Sequence, residues 1–246
     1  MKKIKKIIKE QIKLQQSSHF LITKSHLQSK ELEWAHIYHD SIRGKKALEN
    51  LPLNIGRWAG NYAFFYLLNR ILTDFKPKSI IEFGLGESTK FISTFLDNSL
   101  NESKLLTIEH DENWKSLFLD NFKLSNRAEI KTLDLVENKI NGFDSNGYKK
   151  IKENIKEIFD LYIIDGPFGS KNYSRYDIVS LAENLSKNDD FIIIMDDYNR
   201  IGEKQTTKEL LKFLKHKQID VFTEEYVGNK SVFVIATEKY KYVTSF

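Results

Sequence analysis

Carboxylates recur at one kind of place in this sequence, the end of a short apolar run. Ser79–Phe83 contains Glu82 and leads into Gly84-Leu85-Gly86-Glu87-Ser88-Thr89. Leu105–Glu109 ends on an acid and continues as His110-Asp111. Asp134 follows Ala128–Leu133, Asp165-Gly166-Pro167 follows Leu161–Ile164, and Asp196-Asp197-Tyr198 follows Phe191–Met195. An acid closing the second run can accept hydrogen bonds from both hydroxyls of a ribose. Glycines 84 and 86 let a ligand approach the backbone closely. The acids after the fourth and fifth runs would gather three like charges, which a proton or a cation must relieve. An all-oxygen donor set suits Mg²⁺, Mn²⁺ or Ca²⁺ better than zinc or copper. Taken singly, each Asp at a strand-to-helix junction reads as well as a helix cap. Five in succession are harder to explain by capping.

Such residues meet only if the runs are strands of one sheet. Between most of the runs lie amphipathic stretches, Ser88–Leu100, Asn113–Leu124, Tyr148–Ile158, Ser174–Leu185 and Glu203–His216. That alternation predicts a mainly parallel sheet with helices on both faces. Leu161–Ile164 and Phe191–Met195 are apolar throughout, as central strands covered on both faces are. The last runs, Ile219–Thr223 and Ser231–Ala236, have only Glu224–Lys230 between them, too short for a crossover, so they pair antiparallel. Ligands of open α/β sheets bind beyond the carboxyl ends of the strands, which is where the acids fall.

Residues 1–55 read as a helical N-terminal extension and 56–246 as the α/β domain. A break is expected near Ser17-Ser18 and a second helix from about Gln28 to Glu49. The stretch from Ala59 to Asp74 is apolar nearly all round and should be a buried helix. Just before it, Arg57-Trp58-Ala59-Gly60-Asn61-Tyr62 forms an unusual cluster. Trp58 and Asn61 are candidates to close over a cofactor or acceptor, with packing and capping as the plain readings.

The 246 residues carry 38 Lys and Arg, 34 Asp and Glu, and no cysteine. Disulfides, thiolate metal sites and a cysteine nucleophile are therefore excluded. Six lysines against one acid fall within residues 1–13, leaving 32 basic and 33 acidic residues elsewhere. The body is near neutral, so no nucleic-acid partner is expected. The tip, with Ile4, Ile7, Ile8 and Ile12 among its lysines, is a short basic amphipathic helix. It suits solvent, a partner helix or a weak membrane-surface contact. The sequence shows neither a signal peptide nor a membrane span, and a cytoplasmic location is expected. An oligomer is an open option.

From about Trp58 onward the chain resembles class I S-adenosylmethionine-dependent methyltransferases. Glu82-Phe83-Gly84-Leu85-Gly86 is similar to their first motif, Glu109 to the ribose-binding acid, and Asp134 to a polar residue near the adenine. Ser88 opens the helix after the glycine loop. The resemblance implies a Rossmann-like doubly wound seven-stranded sheet of order 3-2-1-4-5-7-6, the last strand antiparallel. It implies S-adenosylmethionine as cofactor, bound by Glu82, Gly84, Gly86, Ser88, Glu109, Asp134 and Asp165, with Trp58 and Asn61 alongside. Ile164-Asp165-Gly166-Pro167, Lys171-Asn172-Tyr173 and Ile194-Met195-Asp196-Asp197-Tyr198 further resemble cation-dependent O-methyltransferases of the catechol, caffeoyl-CoA and macrocin (sugar) types. That likeness implies a divalent metal on Asp165, Asp196 and Asp197 and a small-molecule or glycan acceptor.

Transfer of a methyl group to a hydroxyl needs the acceptor held in line and its proton removed. Asp165 is a candidate catalytic residue, and the candidate bases are Lys171 and His110. Each reads equally as an ordinary polar residue, a mobile surface lysine and a helix-start histidine. Pro167 stands where macrocin-type enzymes often carry a second acid. A nucleic-acid or protein methyltransferase is disfavoured by the near-neutral body and by Asp165-Gly166-Pro167-Phe168 in place of an Asn/Asp-Pro-Pro-Tyr/Phe motif. A nicotinamide-dependent oxidoreductase lacks its third glycine, since position 89 is Thr. A non-catalytic scaffold would bind cofactor without metal.

Overall fold

The computed structural model describes residues 2–246, with side chains from Lys5 onward. Met1 and the side chains of residues 2–4, part of the basic tip, lie outside the described residues. Helices α1 (Lys2–Ile42), α2 (Lys46–Glu49) and α3 (Tyr62–Asp74) come first. Then follow β1 (Ser79–Phe83), α4 (Glu87–Asn98), β2 (Lys104–Glu109), α5 (Glu112–Asn121), β3 (Ala128–Thr132), β4 (Leu135–Ile140), β5 (Phe143–Tyr148) and α6 (Ile151–Asn154). The chain continues through β6 (Leu161–Ile164), α7 (Asp177–Leu181), β7 (Ile192–Met195), α8 (Ile201–His216), β8 (Phe222–Val227) and β9 (Ser231–Ala236).

Seven strands form one sheet, β3-β2-β1-β6-β7-β9-β8, while β4 and β5 pair separately. With that separate pair set aside, this is the expected order 3-2-1-4-5-7-6. Strands β3, β2, β1, β6 and β7 run parallel, and β9 is antiparallel to both β7 and β8. Every residue of β6 and β7 is buried, as strands covered on both faces must be. One apolar core fills the face under α3 and α4, and a second fills the opposite face against α7 and α8.

Helix α3 is buried almost all round because it lies between the sheet and α1. Tyr38, Ile42 and Leu48 join the same core, so the C-terminal part of the helical extension packs as one body with the sheet. Residues 5–26 of α1 are exposed.

Three local expectations differ from the structure. Helix α1 runs through Ser17-Ser18 without a break, since residues 2–42 contain neither Gly nor Pro and serine costs a helix little. The expected helix from Gln28 to Glu49 is the end of α1 plus α2, interrupted at Gly44 with φ +82°. The β4–β5 hairpin was unforeseen, and it takes Tyr148 from the helix expected over Tyr148–Ile158, leaving only the short α6. Its turn, Asn141-Gly142, has φ of +50° and +84°, a two-residue hairpin signal legible in the sequence.

Candidate active site

The sheet brings the strand-end acids to one edge, and each is positioned differently. Glu82 is fully buried beneath the glycine loop. Its Oε2 accepts from Thr89 Oγ1 at 2.6 Å and Thr107 Oγ1 at 3.1 Å, and Gly86 N–H donates to Thr89 Oγ1 at 3.0 Å. The relay ties the loop and the start of α4 to β2. Burial pushes the Glu82 carboxyl up to about 7, against the bonds from Ser88, Thr89 and Thr107. Glu82 and Ser88 are both buried beneath the loop. Gly84, at φ +96°, crosses the start of the β6 loop closely: a Cβ on Gly166 would come within 2.7 Å of Gly84 N. Gly86 faces open space.

Glu109 closes β2 with a carboxylate held almost entirely by backbone. Leu85 N–H donates to Oε2 at 3.0 Å, and His110 and Asp111 N–H donate to Oε1 at 2.6 and 2.9 Å. Trp114 Nε1 donates to Leu85 O at 2.8 Å, fixing the glycine loop from the α5 side. Three N–H donors hold an anion in a set direction before any ligand arrives. His110 Nδ1 lies 2.8 Å from Glu109 Oε1, and its ring meets Phe168 edge-on at 4.7 Å. Asp134, at the outer edge strand, is exposed and 3.7 Å from Lys149 Nζ.

Asp165, Asp196 and Asp197 converge, each offering an oxygen within 4.8 Å of the others'. Asp196 is fully buried, and neither of its oxygens has a hydrogen-bond partner among the described residues. Arg175, itself buried, spans the other two. Its Nη2 donates to Asp165 Oδ1 at 3.2 Å and Asp197 Oδ2 at 3.0 Å, and its Nη1 donates to the carbonyls of Ile164 and Asp196. Arg200 Nη1 reaches Asp197 Oδ2 at 2.9 Å. Lys230 Nζ lies 3.1 Å from Asp197 Oδ1 and 3.8 Å from Asp196 Oδ2. Buried Glu203 stands 3.9 Å from both Arg175 Nε and Arg200 Nη1. Four acids thus face three cations.

The protonation preferences follow from this arrangement. Burial, then Asp196, pushes the Asp165 carboxyl well above the usual range. Burial, then Asp197, raises Asp196. Burial would raise Asp197 too, but Arg175, Lys230 and Arg200 together bring it below its ordinary value. Both Arg175 and Asp197 hold left-handed backbone, each at φ +57°, a cost the ion pairs at this point offset. Hard oxygen donors and an unpartnered buried carboxylate fit a divalent cation.

Several expected site residues lie elsewhere. Asn61 is consumed as the cap of α3: its Oδ1 accepts from Phe64 N–H, and its Nδ2 donates to Glu31 Oε2 and Lys230 O. No side-chain donor of Asn61 is left for a cofactor, which corrects that expectation in favour of capping. Trp58 is 92% exposed and closes over nothing in this state. Lys171 is exposed and makes no ion pair with the aspartates among the described residues. His110 follows β2, two strands from β6, and its ring meets Phe168, in the loop that follows Asp165.

Sequence reasoning missed Arg175, Arg200, Glu203 and Lys230. Arg200 and Glu203 follow Asp197 by three and six residues, one face of the opening of α8, a spacing that could have exposed them. Lys230 had no local signal. It reaches the trio because β9 pairs antiparallel with β7, Met195 opposite Phe233, so the chain just before β9 lies beyond the end of β7.

No protein-family model matches the chain, and no curated protein matches it. Solved structures do. The O-methyltransferase TomG from Streptomyces achromogenes, involved in tomaymycin synthesis and solved with S-adenosylmethionine, is 11% identical with a TM-score of 0.50. The match covers 87% of this chain and 98% of TomG. An O-methyltransferase from Bacillus cereus in complex with S-adenosylhomocysteine is 17% identical over 82% of this chain and 91% of its own, TM-score 0.49. Together with the strand order, the likeness to TomG shows a Rossmann-like fold of the kind that TomG has.

Proposed function

We propose that this protein is an S-adenosylmethionine-dependent O-methyltransferase, assisted by a divalent cation, that acts on a hydroxyl of a sugar or glycoconjugate. The observation that carries the reading is the meeting, at one sheet edge, of a backbone-held carboxylate after β2 and an all-oxygen cluster after β6 and β7. S-adenosylmethionine supplies an electrophilic methyl on a sulfonium, and TomG, of like fold, was solved with it. Glu109 is oriented to accept from ribose hydroxyls, and Gly86 leaves its face open for close approach. The surplus acid at the β6–β7 end favours a cationic sulfonium nearby.

Asp165, Asp196 and Asp197 would hold the cation, Mg²⁺ or Mn²⁺ or Ca²⁺, which lowers the pKa of an acceptor hydroxyl and fixes its position. Asp165 is the most open of the three, at 18% side-chain exposure, and so meets the acceptor. The carbohydrate acceptor rests on the likeness of Asp196-Asp197-Tyr198 to macrocin-type enzymes. The near-neutral body supports a small-molecule or glycan acceptor over nucleic acid.

Calorimetry with S-adenosylhomocysteine and NAD, followed by methyl transfer to a glycan panel with and without EDTA, tests the reading. Binding of S-adenosylhomocysteine alone and EDTA-sensitive methylation are expected. Binding of NAD without S-adenosylhomocysteine would overturn the activity, and full turnover in EDTA would overturn the metal.

A further inference from the structure

The trio already has a counter-ion that competes for its oxygens. Asp197 Oδ2 is taken by Arg175 and Arg200. Its other oxygen, Oδ1, holds Lys230 Nζ at 3.1 Å. The same ammonium stands 3.8 Å from Asp196 Oδ2, too far for a hydrogen bond but close enough to compensate charge. Asp196, wholly buried with two unpartnered oxygens, is what makes the cluster a cation site and not merely a group of acids.

A divalent cation drawing an oxygen from Asp197 meets Arg175 and Arg200 at Oδ2 or the Lys230 ammonium at Oδ1. Two positive groups on the same oxygens repel strongly where water is excluded. The backbone beneath Lys230 cannot yield. Gly228 N–H donates to Lys230 O at 2.8 Å, Asn61 Nδ2 donates to the same oxygen at 3.1 Å, and Asn229 N–H donates to Glu31 Oε2 at 2.9 Å. Gly228 itself is pressed against Glu31 and Asn61, with no room for a Cβ. The side chain, 15% exposed and with its Nζ also bonded to Ala59 O at 3.0 Å, is the part that can move.

We infer that Lys230 is a built-in competitor for the divalent-cation site, its ammonium bridging Asp196 and Asp197 in the metal-free protein and leaving them when the cation binds. The inference rests on the proposed metal reading of the same site. It gives the site two alternative counter-ions, Lys230 in the metal-free state and the divalent cation in the loaded one.

The test is Mn²⁺ binding to the full-length protein, measured by calorimetry and by loss of the free-Mn²⁺ paramagnetic resonance signal, so that no turnover is needed. Lys230→Met and Lys230→Gln each remove the charge, and Lys230→Arg keeps it. At least tenfold tighter Mn²⁺ binding is expected in whichever neutral variants retain the wild-type circular dichroism, with Lys230→Arg near or below wild type. Measurable binding by wild type that is unchanged or weaker in the neutral variants overturns the competitor role and leaves the metal site standing. Absence of Mn²⁺ binding in all forms overturns both.

Discussion

Two groups of carboxylates share the edge of this sheet and are stabilised in opposite ways. Glu109, after β2, is held by three peptide N–H groups. Asp165, Asp196 and Asp197, after β6 and β7, are held by the side chains of Arg175, Arg200 and Lys230, and Asp196 has no hydrogen bond at its carboxylate. Peptide donors are neutral and fixed, so the first site is formed before a ligand comes. Side-chain cations are charged and mobile, so the second can exchange its counter-ion. On the proposed function, the first site would orient a neutral hydroxylated ligand and the second would take up charge.

The largest effect should come from removing the central counter-ion. Arg175→Met leaves Asp165, Asp197 and Glu203 buried without their main partner, and a loss of about 3–5 kcal/mol in urea unfolding is expected. A loss below about 1 kcal/mol would mean that the trio does not depend on side-chain cations, and the contrast would fail.

On the other side of the comparison, Glu82 supports the neutral site from beneath. Its folded carboxyl titrates at about 7 against an ordinary 4.5, so the folded state holds the proton more tightly than the unfolded chain. Its stabilising protonated form is fully present below the unfolded value and is lost as pH rises through about 7, a decline of roughly 3 kcal/mol. Asp177, pushed to about 7 by burial, adds a decline of the same sign. Melting temperature followed from pH 4 to 8 should fall, and Glu82→Gln should reduce the slope. An unchanged slope would exclude Glu82 as its source.

Glu109→Ala should weaken S-adenosylhomocysteine binding by roughly 1.5–3 kcal/mol, the worth of hydrogen bonds to a charged group. Calorimetry at matched fold content checks it, and unchanged affinity would break the assignment of the neutral site to ribose. The smallest effect sharpens the contrast most. Asp196→Asn removes a buried carboxylate that accepts no hydrogen bond and has only the Lys230 ammonium at 3.8 Å, so the metal-free protein should gain roughly 1–2 kcal/mol while Mn²⁺ binding is lost. Destabilisation instead would show that Asp196 is already well compensated.

The strands were legible because burial on both faces demands unbroken apolar runs, and β6 and β7 carry them. The sheet order came from the resemblance, while the short gap before Ser231 specified the antiparallel pair from the residues themselves. The trio and Glu109 were legible because strand-end acids in a parallel sheet must converge at one edge. The β4–β5 hairpin was missed although Asn141-Gly142 announces it, since its strands pair only with each other and carry no strong apolar run.

By itself, the sequence determined which residues lie at the ligand-binding edge, because apolar periodicity and strand direction are local properties that each segment carries. Only tertiary structure decided what balances their charge. Arg175 comes from a loop, and Lys230 from a hairpin turn brought alongside β7 by antiparallel pairing. Counter-ions are chosen by proximity in space, and proximity between segments tens of residues apart exists only after the chain has folded.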